Sequence, residues 1–256
     1  MRPLPALAAL ALAAGCAATG CAAPAPGSSA DLAATAVGPV AAGPADLLGD
    51  GYDAVGVRAL AVTDGELATG WRVAFVPPGQ NDISSPPQTA DDPACQPVLD
   101  ALTPSRGDAG PLAEADLDLA REGDAQASLS TAILAFRPGR AAAVHAGLER
   151  ALDRCRDFTS STGRHRLARL DTPTPEGADA ATAFTLTNET GGAVLAQRAL
   201  LARTGDVLTV FTTLDPAGRP APEPDRAVVQ AQLAKVGRSA GRGTVSSSPR
   251  PGVRAG

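Results

Sequence analysis

Two histidines and four cysteines hold most of this chain's capacity for nucleophilic, acid–base or metal chemistry. Cys95 and Cys155 have no histidine or cysteine at the short spacing a zinc site needs. A catalytic thiol requires a base, and the candidates are His145 and His165. His145 follows Val144 on a helix-like stretch and lies off its apolar stripe, while His165 sits in the basic run Arg164-His165-Arg166. Both therefore read as solvated surface groups. No Gly-x-Ser-x-Gly, His-Glu-x-x-His, phosphate-cradling glycine loop or calcium loop occurs, and no pair of carboxylates stands out for acid and base work. The expectation is no catalytic residue, no cofactor, no bound metal and no enzyme activity.

The other two cysteines read as covalent handles. Leu4 to Gly15 is an apolar run of about a dozen residues behind Arg2, closed by Ala13-Ala14-Gly15 and then Cys16. That is shorter than the ~18 residues of a membrane-spanning helix and suits the core of a signal peptide with a small-residue cleavage site. The pattern is that of a bacterial lipoprotein signal over residues 1–15, with Cys16 as the lipidated residue and Cys21, preceded by Ala18-Thr19-Gly20, as the alternative. The acyl chains would hold the protein on the extracytoplasmic face of the cell membrane, and more than one is needed for stable anchoring.

In that oxidising setting Cys95 and Cys155 are expected to pair. Each lies at one end of an apolar stripe, so the bond would join two helices and close a loop of about 60 residues, a restriction of roughly 4 kcal/mol on the unfolded chain.

Charge narrows the partners. The formal net charge is −5, which excludes a nucleic-acid footprint. Residues 16–45, rich in Ala, Gly and Pro, form a flexible tether, and residues 237–256, with Arg238, Arg242, Arg250 and Arg254 among Gly, Ser and Pro, form a disordered tail. Residues 46–236 remain for one compact domain.

Within that domain the hydrophobic period alternates between 2 and 3.6 residues, as an α+β fold requires. Cys95, Val98, Leu99 and Leu102 mark a short helix opened by Asp92-Pro93. Val144, Leu148, Ala151, Leu152 and Cys155 mark a longer one from about Arg140 to Phe158. Glu122-Gly123-Asp124 joins two strands as a hairpin, the second with Leu129, Thr131, Ile133 and Ala135 on one face. Phe184 to Thr213 reads as a three-stranded meander turning at Asn188–Gly192 and Thr204-Gly205-Asp206, although Ala193 to Arg203 also fits a helix. Val55 to Val76 is expected to add one or two strands, and Asp225 to Val236 a last helix.

The order of these parts resembles the PknH-like extracellular sensor domain family of actinobacteria over roughly Asp46 to Val236. It is carried by the tethered start, Cys95-Gln96-Pro97-Val98-Leu99, and a hairpin ending in Ile133-Leu134-Ala135-Phe136. Leu152-Asp153-Arg154-Cys155-Arg156-Asp157-Phe158 and a meander around Gly205-Asp206 complete it. The resemblance implies an antiparallel sheet flanked by helices around a cleft, and a role in binding or sensing. Members often carry two disulfides, whereas this chain has one pair beyond its signal region. The resulting expectation is a non-enzymatic lipoprotein of the cell envelope, anchored through its N-terminal lipid, with an unknown small molecule or envelope protein as partner. The rivals are a protein–protein docking module and a hydrolase with dispersed catalytic residues.

Overall fold

The computed structural model describes residues 53–77, 88–103 and 110–243. The signal region, the tether, Cys16 and Cys21 lie outside the described residues, as does the tail beyond 243. Among the described residues no helix is long and apolar enough to cross a membrane.

Among the described residues, eight strands form one antiparallel sheet in the order β1-β2-β3-β8-β7-β6-β5-β4. β1 (Trp71–Phe75), β2 (Ala113–Arg121) and β3 (Asp124–Ala135) run in sequence from one edge to the centre. α3 (Arg140–Arg154) then carries the chain over one face to the opposite edge. From there β4 (Asp157–Ser160), β5 (Gly163–Leu170), β6 (Ala180–Thr190), β7 (Ala193–Thr204) and β8 (Val207–Asp215) step back until β8 pairs with β3. Ala193 to Arg203 is thus a strand. β6 and β8 flank it on both sides and satisfy its backbone groups, and an interior strand position overrides its helix-forming alanines and leucines.

Strand alternation sends apolar side chains to both faces, and each face is covered by two helices. α1 (Ala54–Ala59) and α4 (Arg226–Gly243) cover the face that presents Leu117, Ile133, Leu200 and Phe211. α2 (Gln96–Leu102) and α3 cover the face that presents Leu134, Phe184, Leu201 and Leu208. Leu200 and Leu201, neighbours on β7, serve opposite cores. The architecture is α+β, an antiparallel sheet flanked by helices with one disulfide, as expected.

Local chemistry sets the element ends. Asp53 caps α1 by accepting from Gly56 N–H at 2.7 Å, so residues 54–59 form a helix and the Val55 to Val76 region supplies a single strand, β1. α3 starts at Gly139, whose positive φ of 76° suits glycine, and Gly139 N–H donates to the Asp206 carboxylate of the β7–β8 turn at 2.7 Å. It ends at Arg154 rather than Phe158. Cys155 is extended, and the Arg156 guanidinium donates to the carbonyls of Leu152 and Cys155, leaving Phe158 inside β4. α4 continues past Val236 to Gly243, and Ser239 on that added turn is buried and donates to Lys235 O at 3.3 Å.

Gln232 is the unexpected core residue of α4. It is wholly buried in the apolar stripe, where Nε2 donates to Leu60 O at 2.8 Å and Oε1 accepts from Val62 N–H at 3.0 Å. It therefore satisfies the buried backbone just beyond α1 and ties the two ends of the domain together.

Candidate functional site

Cys95 stands at the N-terminal end of α2 and Cys155 at the C-terminal end of α3, and they are bonded, with Cα atoms 5.7 Å apart. The bond fixes a short helix beside a long one. α2 has seven residues, too few to be stable alone, and its position is further held by Gln96, which donates to Gln88 O and accepts from Ala90 N–H.

Along these two helices opens a cleft of about 230 Å³. Its floor is the sheet, with Leu134, Leu201 and Leu208, together with Phe136 just after β3. Pro97, Asp100 and Ala101 of α2 contribute to its lining, as do Arg140, Ala143, Val144 and Gly147 of α3. The floor side chains are at most 4% exposed, so the bottom of the cleft is apolar. Among the described residues, the charged side chains in its lining are Asp100 and Arg140, one from each helix. Neither was singled out by sequence; the signal available was that both sit on the predicted helices just outside the apolar stripes.

Both histidines depart from expectation, because both are buried. His145 is 8% exposed and aligns with Ala141, Leu148 and Leu152 on the side of α3 that faces the sheet. α3 packs against both the sheet and α2, so its buried arc is wider than one stripe and includes residue 145. Burial pushes the His145 pKa down, opposed by Glu149 and reinforced by Arg203 and Arg169. Its Nε2, Glu149 Oε1 and Thr182 Oγ1 are buried without a hydrogen-bond partner among the described residues.

His165 is 2% exposed. The basic run on β5 obeys strand alternation, so Arg164 and Arg166 point to solvent while His165 and Leu167 point inward. His165 is the register partner of Phe158 on β4, and the two rings stack with centroids 4.7 Å apart. Its Nε2 lies 2.7 Å from Ser160 Oγ, which also accepts from Thr162 N–H at 3.2 Å, and Thr162 Oγ1 donates to Gln88 Oε1 at 2.7 Å. Burial lowers the His165 pKa, opposed by the charge of Asp91.

A serine beside a histidine is the start of a nucleophilic dyad, and sequence analysis did not pair these two. The rest of the constellation differs from a hydrolase. In a triad a carboxylate accepts from the second ring nitrogen. Here His165 Nδ1 has no hydrogen-bond partner among the described residues, and the Asp91 carboxylate is held by Thr159 instead. Ser160 and His165 are also absent from the cleft lining. The group acts as a polar clamp that joins β4, the β4–β5 turn and the segment at Gln88.

Among the described residues no cluster of three His, Cys, Asp or Glu side chains could hold a metal ion. Neither a protein-family model nor a curated protein matches the chain. Among solved structures it is similar to the extracellular domain of PknH from Mycobacterium tuberculosis, at 14% identity and a TM-score of 0.45, covering 75% of this chain and 98% of that one. It is also similar to a Mycobacterium smegmatis protein described as an Rv0999 ortholog, at 14% identity and a TM-score of 0.41, covering 71% of this chain and 96% of that one.

Proposed function

We propose that this chain is a lipid-anchored extracytoplasmic protein of the cell envelope whose α+β domain binds a small molecule and acts as a sensing or binding module without catalysis. The observation that carries the reading is the apolar-floored cleft between two helices that a disulfide holds in place. A concave, largely preformed apolar site with few convergent polar groups is the usual form of a small-ligand site. A structural disulfide suits an oxidising compartment, in keeping with the apolar leader before Cys16 and Cys21. The hydrogen-bonding of His165 and Ser160 favours binding over hydrolysis.

Two measurements on protein extracted from its own membrane test this. Intact mass of the N-terminal peptide should show acyl chains on Cys16, or on Cys21, and an unmodified cysteine at both positions would remove the anchor. Native mass spectrometry should show a small non-covalent adduct that Ala143→Trp abolishes. Ala143 lines the cleft from an exposed position, so the substitution fills the site without overpacking the core. An adduct retained in that variant would place the ligand elsewhere.

A further inference from the structure

We propose that α3 is bedded on the sheet through an internal hydration site, in which one ordered water joins His145 Nε2, Glu149 Oε1 and Thr182 Oγ1. The site is separate from the cleft, whose lining on α3 is Arg140, Ala143, Val144 and Gly147.

The helix supplies two of the groups. His145 and Glu149 are four residues apart, so they stand side by side one turn apart on α3. Glu149 Oε2 accepts from Arg169 of β5, while Oε1 is buried and has no hydrogen-bond partner among the described residues. His145 Nε2 is in the same condition.

The sheet supplies the third. β6 lies between β5 and β7. Arg169 of β5 is the register partner of Phe184, and Arg203 of β7 is the register partner of Ala180. Thr182 projects from β6 midway between those two positions, on the face where Phe184 packs beneath α3. It is 3% exposed, and its hydroxyl has no partner among the described residues. His145 feels the charges of both arginines and Glu149 bonds one of them, so both α3 side chains sit over the stretch of β6 centred on Thr182.

Leaving three such atoms unpaired in the interior is costly, and no hydrogen bond joins any two of them. Burial keeps the His145 ring neutral at neutral pH. Glu149 Oε1 only accepts, Thr182 Oγ1 donates and accepts, and a neutral imidazole Nε2 does one or the other according to tautomer. Water, with two donors and two acceptors, serves all three atoms in either tautomer, and about three hydrogen bonds is the usual number for a buried water. The guanidinium groups of Arg169 and Arg203 oppose a cation there, and the Glu149 carboxylate opposes an anion.

Convergence carries the assignment, and Thr131 supplies the contrast. Its Oγ1 is also buried without a partner among the described residues, but it stands on the opposite face, in register with Leu117 and Phe211.

Two measurements on the full chain test the site. A crystal structure should place one water within about 3.2 Å of all three atoms. Oxygen-17 magnetic relaxation dispersion counts long-lived internal waters. Thr182→Val, which keeps the side chain's shape and removes its hydroxyl, should lose one of them, and Thr131→Val should lose none. Direct hydrogen bonds among the three side chains, an ion or solute at the position, or an unchanged count in folded Thr182→Val would overturn the proposal. If Thr182→Val does not fold, the wild-type crystal structure decides alone.

Discussion

The Asp91 carboxylate closes the edge strand β4 by accepting from Thr159 twice, from its backbone N–H at 2.9 Å and from its hydroxyl at 2.7 Å. Asp91 N–H in turn donates to Thr159 O at 2.9 Å. At the opposite edge of the sheet Asp64 accepts from Val73 N–H on β1 at 2.7 Å. Both outer strands thus have a backbone donor occupied by an aspartate from a neighbouring segment, a direct remedy for the unpaired groups that make sheet edges sticky.

Removing the carboxylate should expose the edge. Asp91→Ala is expected to speed amide exchange at Thr159 and to raise the fraction of self-associated protein, with the global fold retained. The Thr159 hydrogen bonds lower the Asp91 pKa from its ordinary 3.8, so the cap is fully present above that value and is lost as pH falls through the lower folded value. Size-exclusion chromatography of the variant at neutral pH, and of wild type in acid, measures this. A variant with unchanged Thr159 exchange would remove the edge-capping role.

The histidines supply a second expectation, opposite to the surface reading of their sequence context. His165→Ala removes a stacked ring and the partner of Ser160, and should cost about 2–4 kcal/mol in urea unfolding at neutral pH. Leaving stability within ~0.5 kcal/mol, as surface substitutions do, would mean the buried position is not realised.

Their titration should shape the pH profile. Both pKa values are lowered from 6.5 by burial, so between the folded and unfolded values the unfolded chain holds more protons. Stability is therefore full above about 6.5 and falls as pH drops below it, by at most ~1.4 kcal/mol per pH unit for each histidine. Urea midpoints at several pH values should show this slope, and His165→Gln should make it shallower. An unchanged slope in a folded variant would assign the effect elsewhere.

Much of the sheet was legible because strand alternation and turn residues are local signals. Glu122-Gly123-Asp124 and Thr204-Gly205-Asp206 turn where their composition says they should, and Leu129 to Ala135 shares the face expected of it. Ala193 to Arg203 was ambiguous because its conformation is decided by neighbours distant in sequence. His145 and His165 were misplaced for the same reason: burial depends on what covers a position, and the cover involves β5 and β7 for His145 and Phe158 with the segment at Asp91 for His165. The cleft was not legible at all. It is the gap left between two helices whose spacing is set by the Cys95–Cys155 bond and by the bulk of the leucines beneath them.

That bond should therefore matter more to the cleft than to the sheet. It closes a span of 60 residues, for which the chain-entropy argument gives about 4 kcal/mol as an upper figure. The sheet's core draws on strands well outside the span, including β6, β7 and β8, and should survive reduction. α2 has one turn and three residues beyond it, and without Cys95 it is held by the Gln96 hydrogen bonds and the packing of Val98, Leu99, Ala101 and Leu102. In the Cys95→Ser/Cys155→Ser variant, amides of residues 96–102 should exchange early while those of β7 and β8 stay protected. Ligand binding should weaken with them, because Asp100 and Pro97 leave the cleft when α2 frays. Exchange mass spectrometry of the variant decides the matter. Protection of α2 equal to that of β7 would show that packing alone holds the helix and that the disulfide is dispensable for the site.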